Sequence, residues 1–466
     1  MSKRKTIRIE QLEITDAGAE GNCIGRYEGA VVFVPYVVPG DVVDVTAKKR
    51  HSYYEALPAE TRLVSPSADR VEPRCRFFGS CGGCKWQQMT YEKQLFHKQK
   101  MVFDHFRRIG KFDFPDIRPI IASSEIFGYR NKIEYTFSDR KWLSKAELEK
   151  ADELETRGLG FHLPSMFDKI IDIDYCHLHS ELGNRIRNII REYAISENLS
   201  CWNARKQEGL LRNLTLRRAT TGDYMLIMVF SRWDEQSARM MEFIRTSFPE
   251  ITSLQYVIND KPNDSIGDLE VHLFAGKDHL MEKMRDLQFK VSPLAFYQTN
   301  AAQALQLYSH ATKLADIQPD DCVYDLYTGT GTIALFVARN ARKVVGIEYV
   351  VSAVEDAKVN AKLNGIENVE FVAGDMAKIF TDSFIREHGK PEVIITDPPR
   401  AGMHPQVVSQ ILKIAPKRVV YVSCNSATQA RDIALLTEKY DVAAVQPVDM
   451  FPHTHHVENI ALLIKR

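Results

Sequence analysis

From about residue 318 onwards, short apolar runs alternate with amphipathic stretches. Helical patterns such as SAVEDAKVNAKLNG and HPQVVSQILKIA separate runs that have the composition of buried strands. These runs are DDCVYDLY, KVVGIE, NVEFVAGD, PEVIITDPP and RVVYVSCN. Regular alternation of strand and helix is typical of a doubly wound parallel sheet, so the pattern predicts an α/β fold. Such sheets bind ligands at the carboxyl ends of their strands, where polar residues of these runs would meet.

Length and charge limit what accompanies this sheet. A chain of 466 residues is too long for one ordinary core, so two or three domains are expected. Lys plus Arg equals Asp plus Glu at 61 each, so any surface that binds nucleic acid must be local. The sequence has no apolar run of about 18 residues, so a membrane span is not expected. The start MSKRKTIRIEQLEI lacks the apolar core of a secretory signal. Eight cysteines with tight spacing favour a reducing, cytoplasmic location.

Two further regions precede the sheet domain, which we place at 291–466. Residues 1–64 contain short strand-like runs between Gly- and Pro-rich turns, which predicts a small β-barrel. Residues 65–290 are mainly β-like, with a helical pattern at about 91–118 and an acidic piece, SKAELEKADELE, that we expect to be a surface excursion. The barrel also mixes cations with aromatic residues, a composition that suits either RNA contact or a solvated strand end. These residues are Lys48, Lys49, Arg50, Tyr53 and Tyr54.

Four cysteines have the spacing of ligands for a metal centre. Cys75, Cys81 and Cys84 form the pattern C-x5-C-x2-C, and Cys176 lies far downstream in IIDIDYCHLH. Four thiolates satisfy an iron–sulfur cubane or a zinc ion, and the spacing favours the cubane while leaving zinc open. A radical S-adenosylmethionine enzyme needs one open iron, whereas Cys176 would close the site, so a structural role is favoured.

A glycine-rich turn follows the first strand run of the sheet. Residues 328–332, TGTGT, precede a helix, and glycines there let the backbone approach a ligand at the helix N-terminus. Glu348 ends the next run, where a carboxylate can accept hydrogen bonds from ribose hydroxyls, while Asp375 ends the third run as a ligand contact or a helix cap. These features also fit an NAD-dependent oxidoreductase. The turn DPPR at 397–400 is unusual for a dehydrogenase and typical where S-adenosylmethionine meets a planar base.

Cys424 follows the run RVVYVSCN and therefore belongs to the same edge as Asp397. A buried cysteine is usually a small hydrophobe, but its position at the ligand edge favours a nucleophile. Addition of a thiolate to carbon 6 of uracil makes carbon 5 able to attack a sulfonium methyl group, after which a base must remove the carbon-5 proton. The string DMFPHTHHVENI contains the candidate bases His453, His455, His456 and Glu458. Glu458 is preferred, followed by His456, and a metal on these histidines is disfavoured because the supporting ligand spacing is missing.

With these motifs, the chain resembles the RNA 5-methyluridine methyltransferases that carry an N-terminal TRAM domain and an iron–sulfur cluster. The resemblance covers nearly the whole chain and follows the family's order. It rests on C-x5-C-G-G-C-x2-Q, YRNK, LGFH, IIDIDYC, SPLAFYQTN, DLYTGTG, DPPR, SCN and DMFPHTHHVE. One departure is Thr328, where many relatives have a cysteine; we interpret it as a packing position.

The resemblance implies cofactors and residue roles. It implies an OB-like, RNA-binding TRAM barrel at 1–64 and a helix at 91–118 that packs on the catalytic domain. The implied cofactors are S-adenosylmethionine and a 4Fe–4S cluster, the latter on Cys75, Cys81, Cys84 and Cys176. The implied pocket for S-adenosylmethionine and uracil consists of Gln298, Tyr327, Glu348 and Asp397. Cys424 would then be the nucleophile and Glu458 the base.

The expected function is S-adenosylmethionine-dependent methylation of carbon 5 of a uridine in RNA. Large-subunit 23S ribosomal RNA is favoured over transfer RNA, because the barrel and the cluster would enlarge the RNA surface, and a monomer is expected. The alternatives are an NAD-dependent oxidoreductase, a non-catalytic RNA-binding factor and a cytosine-5 methyltransferase. The last normally carries a Pro-Cys turn, which Cys424 lacks. Expected phosphate contacts are Arg130, Lys132, Arg212, Arg217 and Arg218.

Overall fold

The computed structural model of the protein describes residues 6–143, 149, 155–164 and 166–466. The acidic piece SKAELEKADELE lies almost entirely outside the described residues. The N-terminal part is a closed barrel with the strand order β1-β2-β3-β5-β4, which confirms the predicted barrel. Its strands are β1 Thr6–Ala17, β2 Cys23–Tyr27, β3 Ala30–Val34, β4 Val42–Lys49 and β5 Tyr53–Ser65.

Alternating side chains fill the barrel. Val32 and Val34 point inward from β3, Val43 and Val45 from β4, and all four are fully buried. Closure of the sheet removes the free strand edges that a small β-domain would otherwise expose.

One helix links the cysteine-containing segment to the C-terminal domain. Helix α1 spans Tyr91–His105 and continues into a π-helical turn, Phe106–Gly110, which ends where Lys111 adopts a left-handed conformation. Val102 and Phe106 are buried in one cluster with apolar residues of the C-terminal sheet. The helix therefore belongs to the hydrophobic core of that domain, although α1 ends at His105 and the first strand of the C-terminal sheet begins only at Cys322.

The middle of the chain forms a mixed seven-stranded sheet with the order β12-β11-β10-β9-β6-β7-β8. Two helices, α2 Glu181–Ser196 and α3 Glu235–Ser247, pack on it. The strands are β6 Lys132–Ser138, β7 Gly158–Leu163, β8 Met166–Ile171, β9 Leu211–Arg218, β10 Tyr224–Phe230, β11 Ser253–Ile258 and β12 Val271–Gly276. A hairpin of β13 Leu280–Met284 and β14 Leu287–Val291 follows and packs into the core of the C-terminal domain.

The C-terminal domain is a seven-stranded sheet with the order β17-β16-β15-β18-β19-β21-β20. The strands β15 to β19 are parallel, and β20 and β21 close the sheet as an antiparallel pair. Separate apolar clusters cover its two faces, which confirms the predicted doubly wound α/β fold. The strands are β15 Cys322–Leu326, β16 Lys343–Glu348, β17 Val369–Ala373, β18 Val393–Thr396, β19 Arg418–Ser423, β20 Tyr440–Val448 and β21 Glu458–Lys465.

Seven helices accompany these strands within the described residues, and in that part of the chain no helix is long and apolar enough to cross a membrane. They are α4 Ala301–Ala315, α5 Thr332–Ala338, α6 Val351–Leu363, α7 Met376–Ile379, α8 Asp382–His388, α9 Pro405–Ile414 and α10 Ser426–Leu436.

Candidate active site

Three strand ends bring Cys424, Glu458 and Asp397 to one edge of the sheet. In the antiparallel pair β19–β21, Ser423 lies opposite Asn459, so the next residues outward, Cys424 and Glu458, are neighbours. Asp397 directly follows β18, the parallel neighbour of β19. The register of the sheet therefore places a thiol and two carboxyl groups together at the carboxyl edge.

The thiol of Cys424 is half-buried between charges of both signs. Burial, followed by the negative charges of Glu458 and Asp397, raises its pKa to about 11, while the positive charge of Arg400 acts in the opposite direction. Arg400 is held beside it because Asn425 Nδ2 donates to the Arg400 carbonyl over 3.0 Å. Since the thiol is mostly protonated at neutral pH, a reaction that uses the thiolate needs the charge of Arg400.

The two carboxyl groups also resist ionisation. Burial raises the pKa of Asp397 to about 7. The pKa of Glu458 lies well above its ordinary value, because the side chain is buried and because Asp397 is close, while Arg400 opposes this shift. A proton can therefore reside on this pair near neutral pH, which suits a group that must accept and release protons.

The glycine-rich turn between β15 and α5 lies next to these carboxyl groups. Gly329 and Gly331 have φ of 57° and 82°, in the left-handed region that favours glycine. The Glu348 carboxylate fixes the turn by accepting hydrogen bonds from Gly329 N at 3.0 Å and Val350 N at 2.9 Å. Among the described residues nothing lies within 4 Å of where a side chain at Gly329 would begin, so a ligand can approach the turn closely.

Asp325 is a buried acid beside the glycine-rich turn, and the sequence analysis did not include it among the candidate site residues. It lies in the middle of buried strand β15, accepts from Ala334 N at 2.9 Å and hydrogen-bonds the Thr328 hydroxyl. Burial raises its pKa to about 7, and its second oxygen has no hydrogen-bond partner in the described structure. The available signal was an acid inside the otherwise apolar run CVYDL, where a charge requires a reason.

The other residues expected around a cofactor also lie near this edge. Tyr327 adopts a left-handed φ of 67°, and burial raises its pKa to about 12. Gln298 is buried, and its carbonyl accepts a 3.0 Å hydrogen bond from Asn131 of the middle domain. Asp375 accepts from Ala377 N at 3.1 Å, which fits the helix-cap interpretation.

Three histidines lie between β20 and β21, and the rings of His455 and His456 are 4.1 Å apart between centroids. Burial is the main cause that lowers the pKa of His455 to about 3 and those of His453 and His456 to about 4, so all three are neutral at pH 7. His453 stacks on Phe127 with ring centroids 4.3 Å apart. His456 faces the same cavity as Arg400 and Gln298.

Comparison with known proteins decides the family. The chain is 53% identical over 453 residues to an uncharacterized RNA methyltransferase of Bacteroides thetaiotaomicron, covering 96% of this chain and 99% of that protein. It is 50% identical to another of Porphyromonas gingivalis, with 97% and 99% coverage. The family described as tRNA (Uracil-5-)-methyltransferase matches residues 272–466, and the TRAM domain family matches residues 3–54. The chain belongs to the RNA uracil-5-methyltransferases that carry a TRAM domain.

A solved structure shows that this RNA methyltransferase shares its fold with a relative along its whole length. The Pyrococcus abyssi tRNA (uracil-54, C5)-methyltransferase in complex with S-adenosyl-L-homocysteine superposes with a TM-score of 0.76. It is 28% identical, and the match covers 98% of this chain and 100% of that chain. The order of barrel, middle sheet and doubly wound sheet is therefore common to both proteins.

The four clustered cysteines of this methyltransferase line one cavity of about 600 Å³. These are Cys75, Cys81, Cys84 and Cys176. The same cavity is lined by residues near the carboxyl edge of the C-terminal sheet, namely Arg130, Gln298, Arg400 and His456. The thiol site and the space in front of Arg400 are therefore parts of one cavity.

The spacing of these thiols does not form a site for one ion. Thiolates bound to one zinc ion lie about 2.3 Å from it and so roughly 4 Å from one another. Within the described residues, no group of three or more His, Cys, Asp or Glu side chains is arranged to hold a metal ion. The four thiols line the same cavity, and four thiolates are the donor set of an iron–sulfur cubane as well as of zinc.

Two arginines expected to contact phosphate are buried in this methyltransferase, so that expectation is wrong for them. Arg212 is fully buried over the Trp202 ring and donates to backbone carbonyls of the loop after β11. Arg217 is 4% exposed and donates to carbonyls of residues 292–295. An arginine side chain has several donors and can satisfy buried carbonyls well. The sequence pattern LLRNLTLRR is the same whether its arginines serve buried carbonyls or form a basic surface. Arg130 lines the cavity and stays available.

Proposed function

We propose that this protein methylates carbon 5 of a uridine through Cys424 as the nucleophile and Glu458 as the base. The observation that carries the proposal is the register of β19 and β21, which makes these two residues neighbours at the ligand edge of the sheet. Addition of a thiolate followed by proton removal requires the thiolate and the base beside the same uracil ring, with the thiolate within reach of carbon 6 and the base within reach of the proton on carbon 5.

Cys424 begins the reaction as a thiolate that bonds to carbon 6 of uracil, while the electrons of the 5,6 double bond move towards the carbonyl at carbon 4. S-adenosylmethionine, when bound, would supply an electrophilic methyl group, which carbon 5 takes up as the S–CH3 bond breaks and S-adenosylhomocysteine is left. Glu458 then removes the remaining proton from carbon 5, the double bond forms again and the Cys424 sulfur leaves as a thiolate. Arg400 favours the thiolate at both ends of this cycle because its charge lowers the pKa of the thiol.

S-adenosylmethionine would be held at the glycine-rich turn. We assign its contacts to Gln298, Tyr327, Glu348 and Asp397. The open space beside Gly329 and the left-handed turn support this placement. The Pyrococcus abyssi relative, which contains S-adenosyl-L-homocysteine, supports the same donor for this chain.

For the four clustered thiols we propose a 4Fe–4S cluster that organises the segment around it. Support comes from the wide cavity on which Cys75, Cys81, Cys84 and Cys176 converge. Protein purified without oxygen should be brown, absorb near ~400 nm and contain equal amounts of iron and acid-labile sulfide. A colourless protein with one zinc per chain would contradict the cluster.

Large-subunit ribosomal RNA is the proposed substrate, because the barrel and the thiol region extend the surface beyond what a small stem-loop covers. Transfer RNA is the second candidate, favoured by the whole-length similarity to a tRNA (uracil-54, C5)-methyltransferase. Mass mapping of ribosomal and transfer RNA from a deletion strain decides between them. The uridine that lacks ~14 mass units in that strain is the target.

A 5-fluorouridine RNA tests the chemistry directly. The fluorine replaces the proton that Glu458 removes, so protein and methylated RNA stay covalently joined. The wild type should form this adduct, and Cys424→Ala should form none while it still binds RNA. Cys322→Ala is the matched control, because that thiol starts β15 at the opposite edge of the same sheet. An adduct on Cys424→Ala would contradict the proposal.

A further inference from the structure

A single side chain of α1 holds two distant segments together. Gln94 is fully buried, and its Nε2 donates to the carbonyls of Trp86 and Met89, each over 2.9 Å. Its Oε1 accepts from His453 N at 2.9 Å. Gln94 Nε2 also lies 3.3 Å from His453 Nδ1. The amide nitrogen thus contacts both the segment that follows Cys84 and the loop between β20 and β21, while the amide oxygen contacts the loop.

The loop between β20 and β21 also accepts backbone hydrogen bonds from the segment that follows Cys84. The His453 carbonyl accepts from Lys85 N at 2.9 Å and from Trp86 N at 3.0 Å. Lys85 directly follows Cys84 in the chain. His453 has a left-handed φ of 66°, a conformation that a non-glycine residue holds only when its surroundings fix it. These contacts on both sides of one residue make His453 the anchor point of the loop.

The anchored loop, residues 449–457, forms a wall of the cavity next to the catalytic edge. Phe451, Thr454 and His456 line that cavity together with Arg400. Thr454 Oγ1 donates to the Phe451 carbonyl at 2.8 Å and accepts from His456 N at 3.2 Å, so these three residues move as one unit. Any shift at His453 therefore displaces the wall rather than one side chain.

We propose that Gln94 is a positioning residue that fixes this wall for the target nucleotide and couples it to the thiol segment. The inference rests on the proposed function, since it takes the cavity before Arg400 as the place where the uridine enters. Gln94 touches neither substrate and acts through His453. Its effect should therefore appear in the use of RNA and leave the use of S-adenosylmethionine unchanged, because in the described part of the chain the glycine-rich turn hydrogen-bonds Glu348 and Ile347 and not the loop.

The variant Gln94→Met removes all the amide contacts with little change in side-chain volume. We expect KM for RNA to rise and kcat/KM for RNA to fall about tenfold to hundredfold, since misplacement by ~1 Å has this effect on reacting groups. KM for S-adenosylmethionine should stay within about twofold of the wild type. Gln99→Met is the matched control, because Gln99 Oε1 on the same helix accepts a 2.8 Å hydrogen bond from Ile120 N and none from the loop among the described contacts.

Two further variants keep the test decisive if Gln94→Met folds poorly. His453→Gly keeps both backbone anchors, and glycine accepts the left-handed φ, but the ring that stacks on Phe127 and contacts Gln94 Nε2 is lost. KM for RNA should therefore rise less than in Gln94→Met. Gln94→Glu keeps the acceptor for His453 but loses both donors, so KM for RNA should rise. An unchanged KM for RNA in Gln94→Glu, or an equal rise of both KM values, would overturn the positioning role.

Failure of the proposed function would look different. If the wild type forms no adduct with 5-fluorouridine RNA, the assignment of Cys424 falls and Gln94 has no uridine to position. If the wild type forms the adduct and both Gln94 variants match its KM for RNA, the chemistry stands and the inference about Gln94 is wrong.

Discussion

Cys424 and Glu458 are neighbours, and burial acts on the ionisation of both in the same direction. The proposed reaction uses both in their ionised forms, whereas burial favours the neutral form of each. Arg400 is the charge that offsets part of this cost for both groups. In the proposed reaction, the neutral form of each group must therefore lose its proton before it can act.

These pKa shifts predict how the rate depends on pH. Both groups have raised pKa values and both must lose a proton, so ionised forms become more abundant as the pH rises. We expect the single-turnover rate of methyl transfer to increase steadily between pH 6 and pH 9. In Glu458→Gln, methylated RNA should remain bonded to Cys424 and appear as a shifted band on a denaturing gel. A rate that peaks below pH 6 would contradict these assignments.

Helix α1 illustrates how an element can serve a domain far from it in the chain. Lys98 on this helix is fully buried and pairs with Asp449 at 2.6 Å, and it also donates to the Phe451 carbonyl. Tyr91 donates to the second oxygen of Asp449 at 2.7 Å. This buried network holds α1 against the loop that precedes β21.

Breaking the Lys98–Asp449 pair should therefore be costly. Lys98→Met leaves the buried Asp449 carboxylate without its cation, and we expect a loss of about 3–5 kcal/mol in the free energy of unfolding. The double variant Lys98→Met/Asp449→Asn should recover part of this loss because no charge remains unpaired. Denaturant titration of the three proteins measures both values. Equal stability of the wild type and Lys98→Met would show that the pair contributes nothing.

Strand β9 supports the active site by a second buried cation. Arg217 donates to the carbonyls of Ser292 at 3.2 Å, Pro293 at 2.9 Å and Ala295 at 2.9 Å. Burial lowers its pKa to about 10, which still leaves it charged at neutral pH. Gln298 lies three residues beyond this clamp.

Arg217→Met should consequently behave as a structural variant and not as a loss of a phosphate contact. We expect a lower stability, on the order of 2–3 kcal/mol, because buried carbonyls lose their donors. The slope of log affinity for RNA against log salt should stay unchanged. Arg130→Ala, at the cavity, is the comparison. This variant should reduce the magnitude of that slope by about one, the change expected when one phosphate contact is lost. A reduced slope in Arg217→Met would return this residue to the phosphate-binding set.

Across the whole molecule, the three domains meet at Trp86. Its indole Nε1 donates to the Gly21 carbonyl of the barrel at 3.1 Å, while its backbone bonds His453 of the C-terminal domain and Gln94 of α1. Lys100 adds a 2.7 Å ion pair to Asp16 of the barrel. The TRAM barrel is therefore fixed to the same segment that carries three of the clustered cysteines.

Trp86→Phe should loosen the barrel selectively. The ring remains apolar, but the hydrogen bond to Gly21 is lost, a change of about 1 kcal/mol. We expect faster amide hydrogen exchange in residues 14–25 and unchanged exchange in β15 to β19. Faster exchange throughout the catalytic sheet would mean that Trp86 supports the whole fold instead of the barrel junction.

Much of this architecture is local and could be predicted along the chain. The alternation of strand and helix specifies a doubly wound sheet because each segment buries its own apolar pattern, and the turns after the strands identify Asp397 and Cys424 in the same way. The barrel followed from its short strands and turns. The resemblance to a known family supplied the roles that these patterns left open.

Contacts between segments far apart in the chain came from the fold. The burial of Arg212 and Arg217 could not be predicted from the sequence, because an arginine on a strand gives the same pattern whether it faces water or a buried carbonyl. The carboxyl oxygen of Asp325 that lacks a hydrogen-bond partner in the described structure could not be predicted either. The partnership of Gln94 with His453 joins residues 359 positions apart, and it exists because α1 enters the core of another domain. Short-range periodicity reports which side of an element is apolar, whereas the neighbour that covers that side is chosen when all elements pack at once.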